Sequence, residues 1–218
     1  MALQDDLQLH GCLPSRHQHH TRHPGGFPGH HGARHLNLLA ADEFEARADH
    51  ADGAALPRRQ FERLVIRTDG ASRGNPGRSS AGAVLIDAAR TDAFEPDAMA
   101  VAVVARDLGT RTNNVAEYAG LVLALREAAL LGAREIDLRL DSKLIVEQLN
   151  GRWRVKDAKL QGLFAEAIRH LKTLRRWSAV HEPRARNKAA DALANMALDD
   201  PFGAARVTAE VRRRADEG

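Results

Sequence analysis

Leu64-Val65-Ile66-Arg67-Thr68-Asp69, continuing as Gly70-Ala71-Ser72-Arg73-Gly74-Asn75-Pro76-Gly77, is the stretch at which the chain turns from polar, aperiodic sequence into a domain. Its first six residues read as a buried strand. The glycines that follow read as a turn from Gly70 to Gly77, which puts Asp69 at the strand's carboxyl end. Downstream, residues 81–88 and 98–106 read as two more strands, and their short connections predict an antiparallel meander. A long helix comes next, capped by Thr112 or Asn113. Val115, Ala119, Val122, Leu125 and Ala129 recur in it at helical spacing until Gly132 stops it. Ile136, Leu138 and Leu140 alternate with Asp137 and Arg139 as a fourth strand, and Asp141-Ser142 opens a helix through Leu149. A helix over 158–171, a strand over 175–181 and a helix over 187–198 complete the order β-β-β-α-β-α-α-β-α. This is an α/β class fold with a mixed sheet flanked by helices. Residues 61–200 form the expected domain, and 201–218, which lack a core pattern, are expected to fray as a tail.

Upstream of that domain, residues 1–60 read as a disordered appendage and linker. Eight histidines fall within the first 40 residues among Gly and Pro, without aliphatic periodicity. No His spacing recurs and no Cys or acid cluster completes a ligand set, which weighs against a built metal site there. Residues 42–50 read as a short helix capped by Asp42, and 51–59 as a linker. The lone Cys12 excludes an intrachain disulfide. Of the 218 residues, 44% are hydrophobic and 28% charged, and no apolar run approaches the ~20 residues a bilayer span needs. A cytoplasmic, monomeric protein is expected. The net charge of +3 says little, but its distribution says more: between Asn150 and Ala190, eleven Lys and Arg face only Asp157, Glu166 and Glu182. Such a stripe is either a solvated face or a surface that neutralises phosphates.

Four acids occupy special places: Asp69 and Asp141 at strand ends, Glu117 in the first turn of the long helix, and Asp191 in the first turn of the last. Each alone has an ordinary explanation in turn chemistry, capping or the helix dipole. Together they fall where open α/β sheets gather their functional groups. Acids converging there would repel one another, a situation divalent cations relieve. Oxygen-only ligation without cysteine favours Mg²⁺, with Mn²⁺ as the substitute, and such a site suits phosphoryl chemistry.

The motifs Thr68-Asp69-Gly70-Ala71-Ser72-Arg73-Gly74-Asn75-Pro76-Gly77, Thr112-Asn113-Asn114-Val115-Ala116-Glu117 and Leu140-Asp141-Ser142 are followed by His181, Asn187 and Asp191. In this order they resemble the type 1 ribonuclease H family, and the likeness spans residues 64–198. It implies a five-stranded mixed sheet with helices. It also implies hydrolysis of the RNA strand of RNA–DNA hybrids by two Mg²⁺ ions, giving 5′-phosphate and 3′-hydroxyl ends. Asp69 would bridge both ions, Glu117 and Asp141 would hold one each or orient water, and Asp191 would complete the second site. His181, ten residues before Asp191, takes the place of the family's catalytic histidine; the alternative is a surface histidine at a strand end. Pro183-Arg184 departs from the glycine-rich loop of some relatives, which makes Arg184 the other candidate for that task.

The resemblance also implies substrate contacts. The Gly74-Asn75-Pro76-Gly77 turn would bring main-chain groups to the minor groove, where the 2′-hydroxyl marks RNA, and Gly70, Ser72 and Arg73 would add to the substrate surface beside it. Asn113 and Asn114 would offer amides, Thr112 would meet a phosphate of the DNA strand, and Arg184 and Asn187 would complete the surface. Ordinary turn and capping chemistry is the alternative for all of these. Only residues 151–157 separate two helices where some bacterial relatives carry a basic protrusion, so this is a variant without one. Trp153, with Arg152, Arg154 and Lys156, would pack on the duplex or, alternatively, sit half-buried in the core. Two other functions stay open: a relaxed nuclease that also cuts double-stranded RNA, and a catalytically silent nucleic-acid-binding module. Four retained carboxylates argue against the second, because a binding-only domain gains nothing from their repulsion.

Overall fold

The computed structural model describes residues 59–217. The His-rich appendage, the helix expected over 42–50 and nearly all of the linker lie outside the described residues. Strands β1 (Arg63–Gly74), β2 (Gly77–Asp87) and β3 (Ala102–Arg111) form the antiparallel meander. β4 (Glu135–Leu140) and β5 (Arg176–His181) add to it in parallel, giving the order β3-β2-β1-β4-β5. Helices α1 (Asn113–Leu130), α2 (Lys143–Leu149), α3 (Ala158–Lys172), α4 (Lys188–Asp199) and α5 (Pro201–Glu217) complete the domain, with a 3₁₀ turn at Arg184–Arg186. Among the described residues no helix is long and apolar enough to cross a membrane.

The two faces of β1 do different work because side chains alternate along a strand. Val65 packs with Val84, Val103 and Leu193 on the α4 side. On the other side α1 lies so close that a Cβ on Gly70 would fall 2.2 Å from the Glu117 backbone nitrogen. Asp69 therefore faces the α4 side while Gly70 receives α1. Gly82 does the same for α4 on β2, where a Cβ would meet the Ala190 carbonyl oxygen at 2.1 Å. α1 is buried nearly all round because it lies between the sheet and α3.

Several expectations are corrected. β1 does not stop at Asp69; Gly70 pairs with Ala81, Ser72 with Ser79 and Gly74 with Gly77, so the turn shrinks to Asn75-Pro76. Gly70 marks a close helix approach rather than a turn, the other meaning of glycine in a strand. β3 starts and ends later than the 98–106 span, bulging opposite Ser79 and Ser80. Glu117 lies just beyond the first turn of α1, which Thr112 caps by accepting from the Val115 N–H. Residues 201–217 form α5 instead of a fraying tail. Asp200 accepts from the Gly203 N–H at 2.9 Å, Gly203 and Ala204 are buried, and Val207 and Val211 pack against the Val65 cluster. Arg212 then grips the buried Glu127 carboxylate of α1 with both bonds, at 2.9 and 2.8 Å. Trp153 is 46% exposed, on a loop outside the core.

A polar node lies under the sheet's α4 face. Arg67, 1% exposed, donates to the Phe94 carbonyl at 2.6 Å and meets Glu182 at 3.4 Å. Arg139 reaches Glu182 at 3.3 Å and stacks 4.8 Å over the Phe94 ring. Arg186 donates to the same carbonyl at 2.9 Å and lies 3.6 Å from Glu182. The loop between β2 and β3 is thereby tied to the segment after β5.

Candidate active site

The parallel pairing of β1 with β4 brings Asp69, within one strand, beside Asp141, the residue after the other. α4 presents Asp191 from its first turn, and α1 presents Glu117 across bare Gly70. All four carboxylates line one polar cavity of about 480 Å³, together with Gly70, Ala71, Ser72, Asn113, Ser142, Arg184 and Asn195.

Each carboxylate is oriented by a named donor. Asp69 Oδ1 accepts the Gly70 N–H at 2.9 Å. Glu117 accepts from Asn113 Nδ2 at 2.9 Å and from Ser142 Oγ at 2.6 Å. Asp141 Oδ1 accepts from Asn187 Nδ2 at 2.8 Å. Asp191 pairs through Oδ1 with Arg184 Nη2 at 2.7 Å and through Oδ2 with Asn195 Nδ2 at 3.2 Å. Burial, then the charge of Asp141, pushes the Asp69 carboxyl up to about 7, helped by Asp191 and opposed by the Gly70 N–H. Burial also raises Glu117, with Ser142 and Asn113 working against it. The Arg184 guanidinium is held ionised by Asp191 and by the fields of Asp69 and Asp141. Among the described residues no three acidic, histidine or cysteine side chains close around one point at coordination distance.

Of the residues singled out from sequence, the cavity wall holds the four acids, Gly70, Ser72, Asn113 and Arg184. The others lie outside it. His181 ends β5, exposed, with Nε2 3.2 Å from the Asp141 main-chain oxygen. Arg73 pairs with Asp199, and Asn75 Oδ1 accepts from the Asn113 N–H at 3.2 Å. Gly74 and Asn114 are exposed at the hairpin end and at the start of α1. Asn187 is corrected from a substrate contact to a buried brace. It is 2% exposed, and its amide nitrogen is spent on Asp141 and on the Thr68 carbonyl, the latter at 2.9 Å. Sequence reasoning missed Ser142 and Asn195. Ser142 stood beside Asp141 in plain view but reads as a helix cap; its side chain makes no capping bond and serves Glu117 instead. Asn195 is four residues after Asp191, one helical turn on, which was the available signal.

Three antiparallel strands followed by two parallel ones, with carboxylates gathered where β1 and β4 meet α1 and α4, define a ribonuclease H-like domain. Residues 67–197 match the family model described as reverse transcriptase-like. The chain belongs to that family, as the resemblance implied. It is 45% identical over 132 residues to Ribonuclease HI of Halobacterium salinarum, covering 61% of this chain and 62% of that protein. It is 44% identical over 137 residues to the bifunctional protein Rv2228c of Mycobacterium tuberculosis, covering 63% and 36%. The chain thus spans less than two thirds of the length of these relatives. Among solved structures, LC11-RNase H1, isolated from compost and in complex with an RNA/DNA hybrid, superposes with a TM-score of 0.57 at 33% identity. That match covers 64% of this chain and 99% of the other.

Proposed function

We propose that this chain is a divalent-cation-dependent endonuclease that hydrolyses the RNA strand of RNA–DNA hybrids, leaving 5′-phosphate and 3′-hydroxyl ends. The observation that carries the reading is the gathering of Asp69, Glu117, Asp141 and Asp191 in one polar cavity. A relative named Ribonuclease HI and a similar structure holding an RNA/DNA hybrid support it. The residues fit a hard cation, since the donor set is oxygen alone and a cation there would offset the burial, and the repulsion from Asp141 and Asp191, that together raise Asp69. Asp69, Glu117, Asp141 and Asp191 would hold Mg²⁺, or Mn²⁺ in its place. When bound, the ions neutralise phosphate charge and lower the pKa of water.

The chain's own groups supply the rest. Glu117, fixed by Asn113 and Ser142, orients the attacking water through its carboxylate. Asn187 holds Asp141 at the cavity while the Asp141 backbone oxygen steadies His181, whose exposed imidazole moves protons to solvent. The wall from Gly70 to Ser72 and the Asn113 amide face the sugar, where a 2′-hydroxyl offers both donor and acceptor. Arg152, Trp153, Arg154 and Lys156, all exposed, extend the surface along phosphates.

The test incubates the protein, with Mg²⁺ and separately with Mn²⁺, against labelled hybrid, double-stranded RNA and double-stranded DNA, beside Asp141→Asn. Cation-dependent cutting of only the hybrid's RNA strand, abolished in the variant, is expected. Cutting of double-stranded RNA as well would broaden the class, and no cutting by folded, cation-supplied protein would overturn the reading.

A further inference from the structure

Asp191 differs from the other three carboxylates in what holds it. Asp69, Glu117 and Asp141 accept from neutral N–H, amide and hydroxyl donors. Asp191 gives one oxygen to Asn195 and the other to a full positive charge, Arg184, at 2.7 Å. We infer that Arg184 is a latch: a built-in counter-cation that occupies Asp191 until a divalent cation displaces it, whereupon the freed guanidinium becomes a phosphate-binding group at the cavity rim. The inference rests on the proposed cation-dependent function and names one residue's part in it.

The geometry permits displacement of the side chain without the backbone. Arg184 stands in a 3₁₀ turn between Glu182 and Arg186, which are anchored in the node around Arg67 and the Phe94 carbonyl. Its carbonyl accepts from the Asn187 N–H at 2.9 Å, which fixes the turn further. The Arg184 side chain itself is 77% exposed, so leaving Asp191 breaks an ion pair and disturbs little packing. Asn195 donates to both the Asp191 main-chain oxygen, at 2.9 Å, and Oδ2, so the carboxylate keeps a brace when Arg184 departs. Because the cation at Asp191 and phosphate on Arg184 both favour the open latch, each must strengthen the other's binding by the same factor.

Calorimetric titration of Mn²⁺ into the 218-residue chain, Arg184→Gln, Asp191→Asn and the double variant tests this, with circular dichroism to establish folding. Arg184→Gln is expected to bind Mn²⁺ roughly two- to fivefold more tightly than wild type, the range an exposed ion pair supplies. Most of that gain should be lost in the Asp191→Asn background, because the latch acts through this carboxylate and only the weaker fields of Arg184 on Asp69 and Asp141 remain. Equal or weaker binding by Arg184→Gln would overturn the latch. So would a gain undiminished without Asp191, which would mark a general effect of charge. Absence of Mn²⁺ binding by every protein would instead overturn the proposed function, and the latch with it. A second titration in the presence of a hybrid with a 2′-O-methylated RNA strand should tighten Mn²⁺ binding in wild type more than in Arg184→Gln; equal tightening would sink the coupling.

Discussion

Gly70→Ala is the sharpest probe of how the sheet and α1 share the site. The added methyl would lie 2.2 Å from the Glu117 nitrogen, 2.5 Å from the Ala116 carbonyl carbon and 2.7 Å from Glu117 Cα, all backbone. Ordinary carbon contacts begin near ~3.5 Å, so α1 must retreat locally by more than about 1 Å. It has little room, since α3 packs on its far side. Overpacking of this kind costs about 1–3 kcal/mol. The retreat also carries Glu117 itself away from Ser142 and Asp69, and a misplacement of about 1 Å costs on the order of 10²-fold in rate. Urea unfolding and single-turnover cleavage of a labelled hybrid measure the two effects separately. Gly162→Ala is the control: exposed within α3, its new methyl meets nothing within 4 Å. It should gain about 0.5–1 kcal/mol and leave the rate alone. A Gly70→Ala protein as stable and fast as wild type would refute the close-approach argument.

Asn187→Leu should lower kcat more than it raises KM and cost about 1–3 kcal/mol, since it leaves the Thr68 carbonyl unpaired and Asp141 unbraced; unchanged kinetics would return Asn187 to a passive role. In chelator, stability should fall as pH rises from about 4 through about 7, because Asp69 binds its proton more tightly folded than unfolded. The loss is at most about 4 kcal/mol, should be absent in Asp69→Asn, and should be reversed at pH 8 by Mg²⁺; urea titrations showing the same pH slope in both proteins would contradict it. Arg212→Met should cost about 1–3 kcal/mol by stranding the buried Glu127 carboxylate, and adding Glu127→Leu should recover much of it. Thermal unfolding in which the double variant is no better than the single one would show that α5 is not held through this pair.

The four acids were legible as candidates because chemistry and periodicity agreed on them: alternation placed Asp69 and Asp141 at strand ends, and helical spacing placed Glu117 and Asp191 near helix starts, while the parallel pairing that sets the two strands side by side came only with the fold. What escaped was set by contacts between distant segments. Gly70 reads locally as a turn, and only the helix pressed on it explains why it stays in a strand. α5 buries too narrow a stripe to announce itself, and what holds it is far away in sequence, the Val65 cluster under Val207 and Val211 and the Glu127 carboxylate under Arg212, although Asp200-Pro201 already had the form of a helix start. Asn187 has the residue type of a surface contact, yet tertiary folding buries it and turns its amide inward. Trp153 departs the other way: its size argued for the core, yet it stands 46% exposed, which leaves the surface alternative for it.

The node around Arg67 joins the β2–β3 connection to the residues that follow β5, through the Phe94 carbonyl and Glu182. Its charges are largely shielded from solvent, so added salt will loosen the protein's outer ion pairs long before it loosens this one. An insertion near Phe94 would therefore be felt, through this tether, by the segment that carries His181 and Arg184 at the edge of the candidate site. Engineers seeking a variant that works in brine or at high ionic strength have in this buried knot a natural anchorage to leave untouched.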